Sequence, residues 1–295
     1  MRYALYLGCF IPIRLPHIEV VARKVLPKLG VELIDIESFS CCPEPIGFLT
    51  DRLTGLAIAA RNICLAEEAG LDILTLCNGC TYTLRQANQT LKSDSALRAK
   101  VNDILAETGH KFKGSIEVKH FAQVLSSDIG VDSIKTQVIK PLTGVKVACH
   151  TGCHILSPPE VMDFDDPLDP HVLEKLVSAL GAEPVEWDLK TLCCGWTLTN
   201  YGDKESANKL IGAKLEAIHA AEADCITVIC PQCFYQLDTG QMLAARELKI
   251  DYKIPAVFYL QLLSIAMGYS LDEINLKFHR VKEPALDEKL GRCLA

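Results

Sequence analysis

Cysteine follows one pattern that occurs twice along this chain of 295 residues. Each copy has a lone cysteine, then an adjacent pair, then a pair separated by two residues. The first copy consists of Cys9, Cys41, Cys42, Cys77 and Cys80, and the second of Cys153, Cys193, Cys194, Cys230 and Cys233. The spacings agree closely, except that the interval after the lone cysteine grows from 31 to 39 residues. Such a repeat predicts two similar structural units with one site in each.

Short apolar runs lead into every cysteine element of both copies. They are rich in β-branched residues and indicate buried strands at 3–7, 31–36, 71–76, 145–148, 184–187 and 226–229. Helical periodicity lies between them, at 53–68, 172–180 and 206–220. Strands and helices in alternation predict an α/β fold with two pseudo-repeated cysteine-rich domains, each with a small parallel sheet flanked by helices. We place the domains at 1–143 and 144–295.

The cysteine elements fall where the predicted strands end. Because the carboxyl ends of parallel strands meet at one edge of a sheet, the three elements of each copy are expected to converge there. The segment 91–143 is expected to close the first domain and to link it to the second. The charged segment 272–295 is interpreted as a tail.

The repeat also sorts the remaining cysteines. Four of them have no mate in the other copy and are interpreted as buried structural residues, namely Cys64, Cys149, Cys225 and Cys293. A secreted disulfide framework does not fit, because such frameworks belong to chains of fewer than about 100 residues. Adjacent cysteines and C-x-x-C spacings indicate a metal or redox site instead, and we expect a reducing cytoplasm.

Each copy offers five thiolates, and this number bears on the kind of metal site. A structural zinc ion is saturated by four ligands, and an ordinary cubane cluster also takes four cysteines. Neighbouring cysteines seldom chelate one ion, but they can bind different irons of one cluster. The count therefore favours an unusual iron–sulfur cluster, while a zinc-stabilised scaffold remains the alternative.

Charge and hydropathy exclude two other classes of protein. The net charge of −7 argues against a nucleic-acid-binding surface. No run of 18 apolar residues occurs, and the most apolar stretch, 254–267, is too short to span a bilayer. We therefore expect no membrane span, and we interpret the apolar N-terminus as the first strand.

At this point the segments around the cysteines resemble a known family. The segments GCFIP, SCCPEP, CNGC, HTGCH, CCGW and CPQC look like the cysteine-rich CCG domain family, and over residues 3–265 like the B subunit of heterodisulfide reductase from methanogenic archaea. The resemblance implies two noncubane [4Fe-4S] clusters, each held by the five cysteines of one copy. One departure is visible, since the second copy has Gly195 after its adjacent pair where the first has Pro43. Proline has no backbone N–H, so the two clusters are expected to differ in environment.

The resemblance also implies a reaction and partners. The substrate would be the mixed disulfide of coenzyme M and coenzyme B, lying between the clusters and split into two thiols by two electrons and two protons. The electrons would come through the ferredoxin-like C subunit of heterodisulfide reductase from its flavin-containing A subunit, which a hydrogenase or a formate dehydrogenase supplies.

Two other functions use the same domain. One is an iron–sulfur electron-transfer subunit of a flavin-dependent hydroxy-acid or succinate dehydrogenase. Such chains often carry a fused C-x2-C-x2-C-x3-C-P module, which is absent here. The other is a related reductase of a different disulfide.

Residues next to the cysteines supply further candidates. His154 follows Cys153 directly and is predicted to deliver a proton to a leaving thiolate, with His150 as a weaker candidate. An anionic substrate would need local cations, for which the candidates are Lys204, Lys209, Lys214, Arg14 and Arg85. Trp196 is expected to shield a cluster from water. Gly8 and Gly152 are expected to let the backbone approach a cluster closely.

Overall fold

Eight short strands form two separate parallel sheets, one in each half of the chain. The computed structural model describes residues 1–44 and 50–294; Pro45, at the end of the SCCPEP segment, lies outside the described residues. The strands are β1 (Arg2–Tyr6), β2 (Glu32–Ile34), β3 (Asp72–Thr75), β4 (Val118–His120), β5 (Lys146–His150), β6 (Glu183–Val185), β7 (Cys225–Val228) and β8 (Ala256–Phe258). Their orders are β2-β1-β3-β4 and β6-β5-β7-β8. The predicted fold class is confirmed.

Helices cover both faces of each sheet. In the first half they are α1 (Phe10–Arg14), α2 (Pro16–Val25), α3 (Arg52–Ala69), α4 (Asn78–Ser93), α5 (Ser95–Ala106), α6 (Phe121–Gln123) and α7 (Val131–Thr136). In the second they are α8 (Pro159–Met162), α9 (Val172–Ala179), α10 (Trp196–Asn200), α11 (Lys204–Ala220), α12 (Pro231–Tyr235), α13 (Gln241–Leu248), α14 (Tyr259–Ala266) and α15 (Pro284–Leu294). Shorter 3-10 turns lie at Leu26–Leu29 and Leu276–Phe278, and π-helical turns at Val124–Gly130 and Gln236–Gly240.

Equivalent helices of the two halves begin in the same way. Asp51 caps α3 by accepting hydrogen bonds from backbone N–H groups of the first turn, and Asp203 caps α11 likewise. A side-chain oxygen at this position satisfies donors that the helix itself leaves unpaired. Both helices follow an adjacent cysteine pair, so the repeat extends from the ligand pattern into the local structure.

The strand order places a switch point in each sheet. From β1 the chain crosses to β2 on one side and then to β3 on the other, and β5 has the same relation to β6 and β7. Open parallel sheets bind ligands at the carboxyl end of such a point. The three cysteine elements of each half follow these three strands, as the sequence predicted.

Helices of each half pack on helices of the other half. Helix α14 follows the second sheet but packs on α2 of the first half, and α7 follows the first sheet but packs on α9 of the second. All eight residues of α14 are buried, which explains why its sequence is apolar all round. The domain boundary at 143 and 144 stays a prediction.

Parts of the chain outside the cysteine pattern differ from expectation. Strands β4 and β8 were not predicted; each has three residues and leads into no cysteine. The predicted tail 272–295 is wrong, because α15 forms there and buries Leu286 and Leu290 against the core. Within the described ranges, no helix combines the length and apolarity that crossing a membrane requires.

Candidate metal centre

The first cysteine of each C-x-x-C pair stands at the beginning of a helix. Cys77 is the N-cap residue of α4, and Cys230 is the N-cap residue of α12, where Pro231 takes the first helical position. The helix dipole favours negative charge at this end. Proline fits there because its missing N–H would find no partner inside the helix. Burial raises the pKa of Cys230, but hydrogen bonds from Cys233 and Cys77 outweigh it and lower the pKa, whereas the hydrogen bond with Cys230 raises the pKa of Cys77.

The ten repeated cysteines form one continuous chain of contacting sulfurs. The Sγ atoms of Cys9 and Cys41 are 3.7 Å apart, and those of Cys42 and Cys80 are 3.4 Å apart. The complete order is Cys9, Cys41, Cys42, Cys80, Cys77, Cys230, Cys233, Cys194, Cys193 and Cys153. The order in the second half mirrors that of the first, so the two five-sulfur sets meet at Cys77 and Cys230.

The other four cysteines lie outside this chain of sulfurs. Cys64, Cys149 and Cys225 are buried in the apolar core, and Cys293 contacts the carbonyl of Thr143. All fourteen cysteines are free thiols, so no disulfide accounts for the close sulfur contacts. The sorting by repeat therefore matches the spatial arrangement.

The sulfurs compete for protons within each set. Hydrogen bonding to Cys193 and burial raise the pKa of Cys153. In return, the hydrogen bonds from Cys153 and Cys194 lower the pKa of Cys193 to about 2. Neighbouring thiols cannot all ionise beside one another unless cations compensate their charge. A set of this kind therefore has the donor chemistry of a site for soft metal ions.

Equivalent glycines bring the backbone against the last cysteine of each set. Gly8 has a φ of +64°, and a Cβ atom there would lie 2.9 Å from Cys80 Sγ. Gly152 has a φ of +84°, and its Cβ atom would lie 3.4 Å from Cys233 Sγ and 2.6 Å from Asn78 Nδ2. Only glycine accepts both the left-handed conformation and the close approach. The predicted role of these glycines in close approach is consistent with this geometry.

The halves contact each other directly between the two sulfur sets. Asn78 Nδ2 of the first half donates to Thr151 O of the second at 2.8 Å. Gln232 lines the cavities beside both sets, and its Nε2 donates to Glu44 Oε1 at 2.7 Å. Two small cavities, one beside each set, therefore adjoin at Gln232, and the walls of each come from both halves. We call this region the cleft.

An open cavity of about 560 Å³ lies over Cys9 and Cys41. Its floor contains three aromatic rings in edge-to-face contact, since Phe10 lies 5.0 Å from Trp196 and 5.5 Å from Tyr235 between centroids. Trp196 also lines the smaller cavity beside the second set, and its role in shielding a cluster from water stays a prediction. The cavity is large enough to admit part of a small molecule.

The two candidate histidines differ in their surroundings. His154 lines the cavity beside the second set and stacks on Tyr82 of the first half at 5.3 Å between ring centroids. His150 is buried, and its Nδ1 lies 3.1 Å from Lys190 O. Its Nε2 has no hydrogen-bond partner among the described residues, and a nitrogen of its ring lies within 4.8 Å of the sulfurs of Cys194 and Cys233. His150 therefore faces the sulfurs, and His154 faces the cleft.

Of the five candidate cations, Arg14 lines the open cavity. Lys209 pairs with Glu205 on the surface, and Arg85 donates to Gln123, both away from the cavities beside the sulfurs. Lys204 is exposed at the start of α11. The prediction for Lys214 as a substrate-binding cation is wrong, because its side chain is buried and donates to Leu189 O.

Glu44 is a site residue that the sequence did not reveal. It accepts hydrogen bonds from Gln232 and from the hydroxyl of Tyr201, and its charge helps raise the pKa of Cys9 and Cys41. In the repeat its position corresponds to Trp196, so comparison of the copies gave no signal.

Comparisons with known proteins agree with the repeat. The family described as "CCG: Cysteine-rich domain" matches residues 3–85 and 147–238. The chain is 38% identical over 283 residues to the B subunit of the ferredoxin/F420H2-dependent CoB-CoM heterodisulfide reductase of Methanosarcina acetivorans, covering 95% of this chain and 94% of that one. It is 36% identical over 278 residues to a protein of Archaeoglobus profundus named as like the B subunit of heterodisulfide reductase, with 93% of each chain covered.

Two further similarities are broader in kind. The chain is 32% identical over 275 residues to the 8-methylmenaquinol:fumarate reductase membrane anchor subunit of Wolinella succinogenes, covering 93% of this chain and 95% of that one. A solved structure of a hypothetical protein from Helicobacter pylori superimposes with a TM-score of 0.77 at 15% identity. The match covers 96% of this chain but only 52% of that one, about half its length, and shows a shared fold.

Proposed function

This chain belongs to the CCG family of cysteine-rich domain proteins, and on that premise we propose that it is the catalytic subunit of a disulfide reductase. The substrate we propose is the mixed disulfide of coenzyme M and coenzyme B. Relatives that align along nearly their whole length carry the name of that enzyme's B subunit, which supports this choice.

The observation that carries the proposal is the contact between the two sulfur sets. Five sulfurs of each half converge at the carboxyl edge of a sheet, and the sets meet at Cys77 and Cys230. A disulfide has two sulfurs, and both must leave as thiols. Two redox centres that share one cleft offer one partner to each sulfur atom.

Each set suits one iron–sulfur cluster. Five thiolates exceed the four of a cubane, which supports the noncubane [4Fe-4S] type. Gly8 and Gly152 leave room for the backbone to come close to such a group, and the buried Nε2 of His150 offers it a polar contact. When bound, the clusters supply the two electrons one at a time.

The chain's own residues bind the disulfide and handle protons. The balanced reaction adds two electrons and two protons to R–S–S–R′ and yields R–SH and R′–SH. Phe10, Trp196 and Tyr235 give the floor of the open cavity an apolar surface that the disulfide would contact. His154 stands beside Cys153 at the cleft and holds a proton for a departing thiolate. Arg14 is the cation on the cavity wall that an anionic substrate would meet.

The electrons come from partner proteins. The designation of the relatives as a B subunit implies a complex of several chains, and one name specifies ferredoxin as the electron donor. For this chain we propose the ferredoxin-like C subunit and the flavin-containing A subunit of heterodisulfide reductase as partners, supplied by a hydrogenase or a formate dehydrogenase, in the cytoplasm.

A second candidate is an electron-transfer subunit of a fumarate reductase. The similarity to the fumarate reductase membrane anchor subunit of Wolinella favours it, and such an electron-transfer subunit would use the same cysteine-rich domain. It does not need a substrate cavity that opens over Cys9 and Cys41. The cavity therefore favours the disulfide reductase.

An assay of the two substrates separates these functions. The complex, purified without oxygen and reduced with methyl viologen, should oxidise the viologen when the heterodisulfide is added, consuming two electrons for each disulfide and releasing two thiols. Oxidation with fumarate and none with the disulfide would refute the proposal and support the second candidate.

A further inference from the structure

In the first half, two neutral side chains hold the loop that precedes the adjacent cysteine pair. Tyr6, at the end of β1, donates through its hydroxyl to Ser40 O. Asn62, in α3, accepts from Ser40 N at 2.8 Å and donates to Cys41 O at 3.3 Å. Both side chains are completely buried.

In the second half, the equivalent positions carry an imidazole and an ammonium group. His150, at the end of β5, contacts Lys190 O through Nδ1. Lys214, in α11, donates to Leu189 O at 2.6 Å. The same two positions of the repeat thus contact the loop backbone in both halves, although the loop atoms that they reach are not equivalent, and a lysine has replaced the neutral amide of Asn62.

Lys214 is a buried cation without a carboxylate partner in the described parts of the chain. Its side chain is 0% exposed, and its Nζ lies 5.0 Å above the ring of Trp187. The negative groups that act on it are sulfurs of the second set, Cys194 first and then Cys233. Burial lowers the pKa of Lys214 to about 8, so most of the side chains carry the charge at neutral pH. When the second set holds a cluster, its thiolates would supply the counter-charge of Lys214.

Two further pairs of equivalent positions also make the surroundings of the second set less negative than those of the first. Gly195 N donates to Cys193 Sγ at 3.4 Å, whereas Pro43 in the first half has no N–H to donate. Glu44 adds a negative charge beside Cys9 and Cys41, where the second half has Trp196. The first set therefore has an anion beside it and lacks the donor that Gly195 supplies in the second, while the second set has that donor and a buried lysine at the loop before its adjacent pair.

On the premise that each set holds a cluster, as the proposed function requires, we propose that Lys214 gives the second cluster the higher reduction potential, so that it is reduced first. A positive charge in a region without water stabilises the added electron. Solvent acts in the opposite direction, because Cys9 and Cys41 are exposed. A full buried charge outweighs this difference, since water does not screen it.

Potentials of the individual clusters test this assignment. Cys9→Ala should leave only the second cluster, and Cys153→Ala only the first. Each complex is titrated under anaerobic conditions and followed by electron paramagnetic resonance. The second cluster should have the more positive midpoint potential, by at least about tenfold in the equilibrium constant, or about 59 mV for one electron. The opposite order, or equal potentials, would overturn the proposal even without a lysine variant.

The lysine is then changed in both backgrounds. Lys214→Met should make the potential of the second cluster more negative and leave that of the first unchanged, while Lys214→Arg should keep the second potential near that of the unaltered lysine. An unchanged second potential in a folded, iron-loaded Lys214→Met protein would refute a role for the charge. A complex without any iron–sulfur signal would instead refute the proposed function, and this inference with it.

Discussion

The two halves of the chain hold their cysteines with the same fold but surround them with different charges. In the first half the loop before the adjacent pair is held by Tyr6 and Asn62, and in the second by His150 and Lys214. The same two positions of each half contact this loop, but the groups that make the contacts and the loop atoms that they reach differ. The comparison shows that the two copies of a repeat can keep the same arrangement of cysteines while the charges of the surrounding residues become different.

The most severe test of the comparison removes a cysteine from the repeated set. Cys194→Ala should abolish disulfide reduction and remove about half of the iron, because the second set falls to four thiolates. Cys293→Ala is the matched control, since that thiol lies outside the chain of sulfurs. Equal iron content and activity in the two variants would show that the repeat is not the metal site.

Glycine substitutions test whether cluster binding needs the backbone to lie close to the last cysteine of the set. Gly8→Ala places a methyl group against Cys80 Sγ and should displace the first cluster, with loss of about half the iron. Gly30→Ala is the control, because it has a similar φ of +79° but no atom within 4 Å of its Cβ position. Both variants carry a similar backbone strain of about 1 kcal/mol, so a difference in iron content reports the contact alone. An unchanged iron content in Gly8→Ala would show that the first cluster does not need the close approach of the backbone at Gly8.

His154 occurs in the second half only, where the first has Phe10, and its substitution tests the asymmetry of proton delivery. His154→Gln should lower the rate of disulfide reduction by about 100-fold, the usual contribution of a positioned acid, while the iron content stays the same. The exposed His171 provides a control through His171→Gln. If His154→Gln keeps full activity, protons reach the thiolates by another route.

The smallest effect is expected outside the repeat, at α15. Leu290→Ala should lower the free energy of unfolding by about 2–5 kcal/mol, because a buried leucine leaves a cavity. The exposed Leu168 serves as the control, because Leu168→Ala should change the free energy of unfolding by less than about 0.5 kcal/mol. Denaturant unfolding of the two variants checks this, and equal values would mean that α15 does not stabilise the fold.

The repeated features of the chain were those that could be predicted. The six strands that lead into cysteines were found because each cysteine element marks the end of a strand, and the position of the site followed from parallel topology. Strands β4 and β8 were missed because three residues without a neighbouring motif give no periodic signal.

The asymmetric features could not be predicted in the same way. The sequence groups Lys214 with Lys204 and Lys209 as candidate cations on one helix, although the neighbours of Lys214 at helical spacing include Ile211 and Ile218. Its burial arises from packing of that helix against Trp187 and the loop at Leu189, which only the folded chain brings together. Glu44 likewise gains its partners from distant segments at Tyr201 and Gln232.

The most direct test of the central claim, two clusters held by two equivalent sets of five cysteines, is elemental analysis. Iron, acid-labile sulfide and zinc should be measured on the complex purified without oxygen, with the content of the partner proteins subtracted. This chain should carry about eight irons, about eight sulfides and no zinc. About four irons with one zinc would mean that one half is structural, and a cleft between two redox centres would be contradicted.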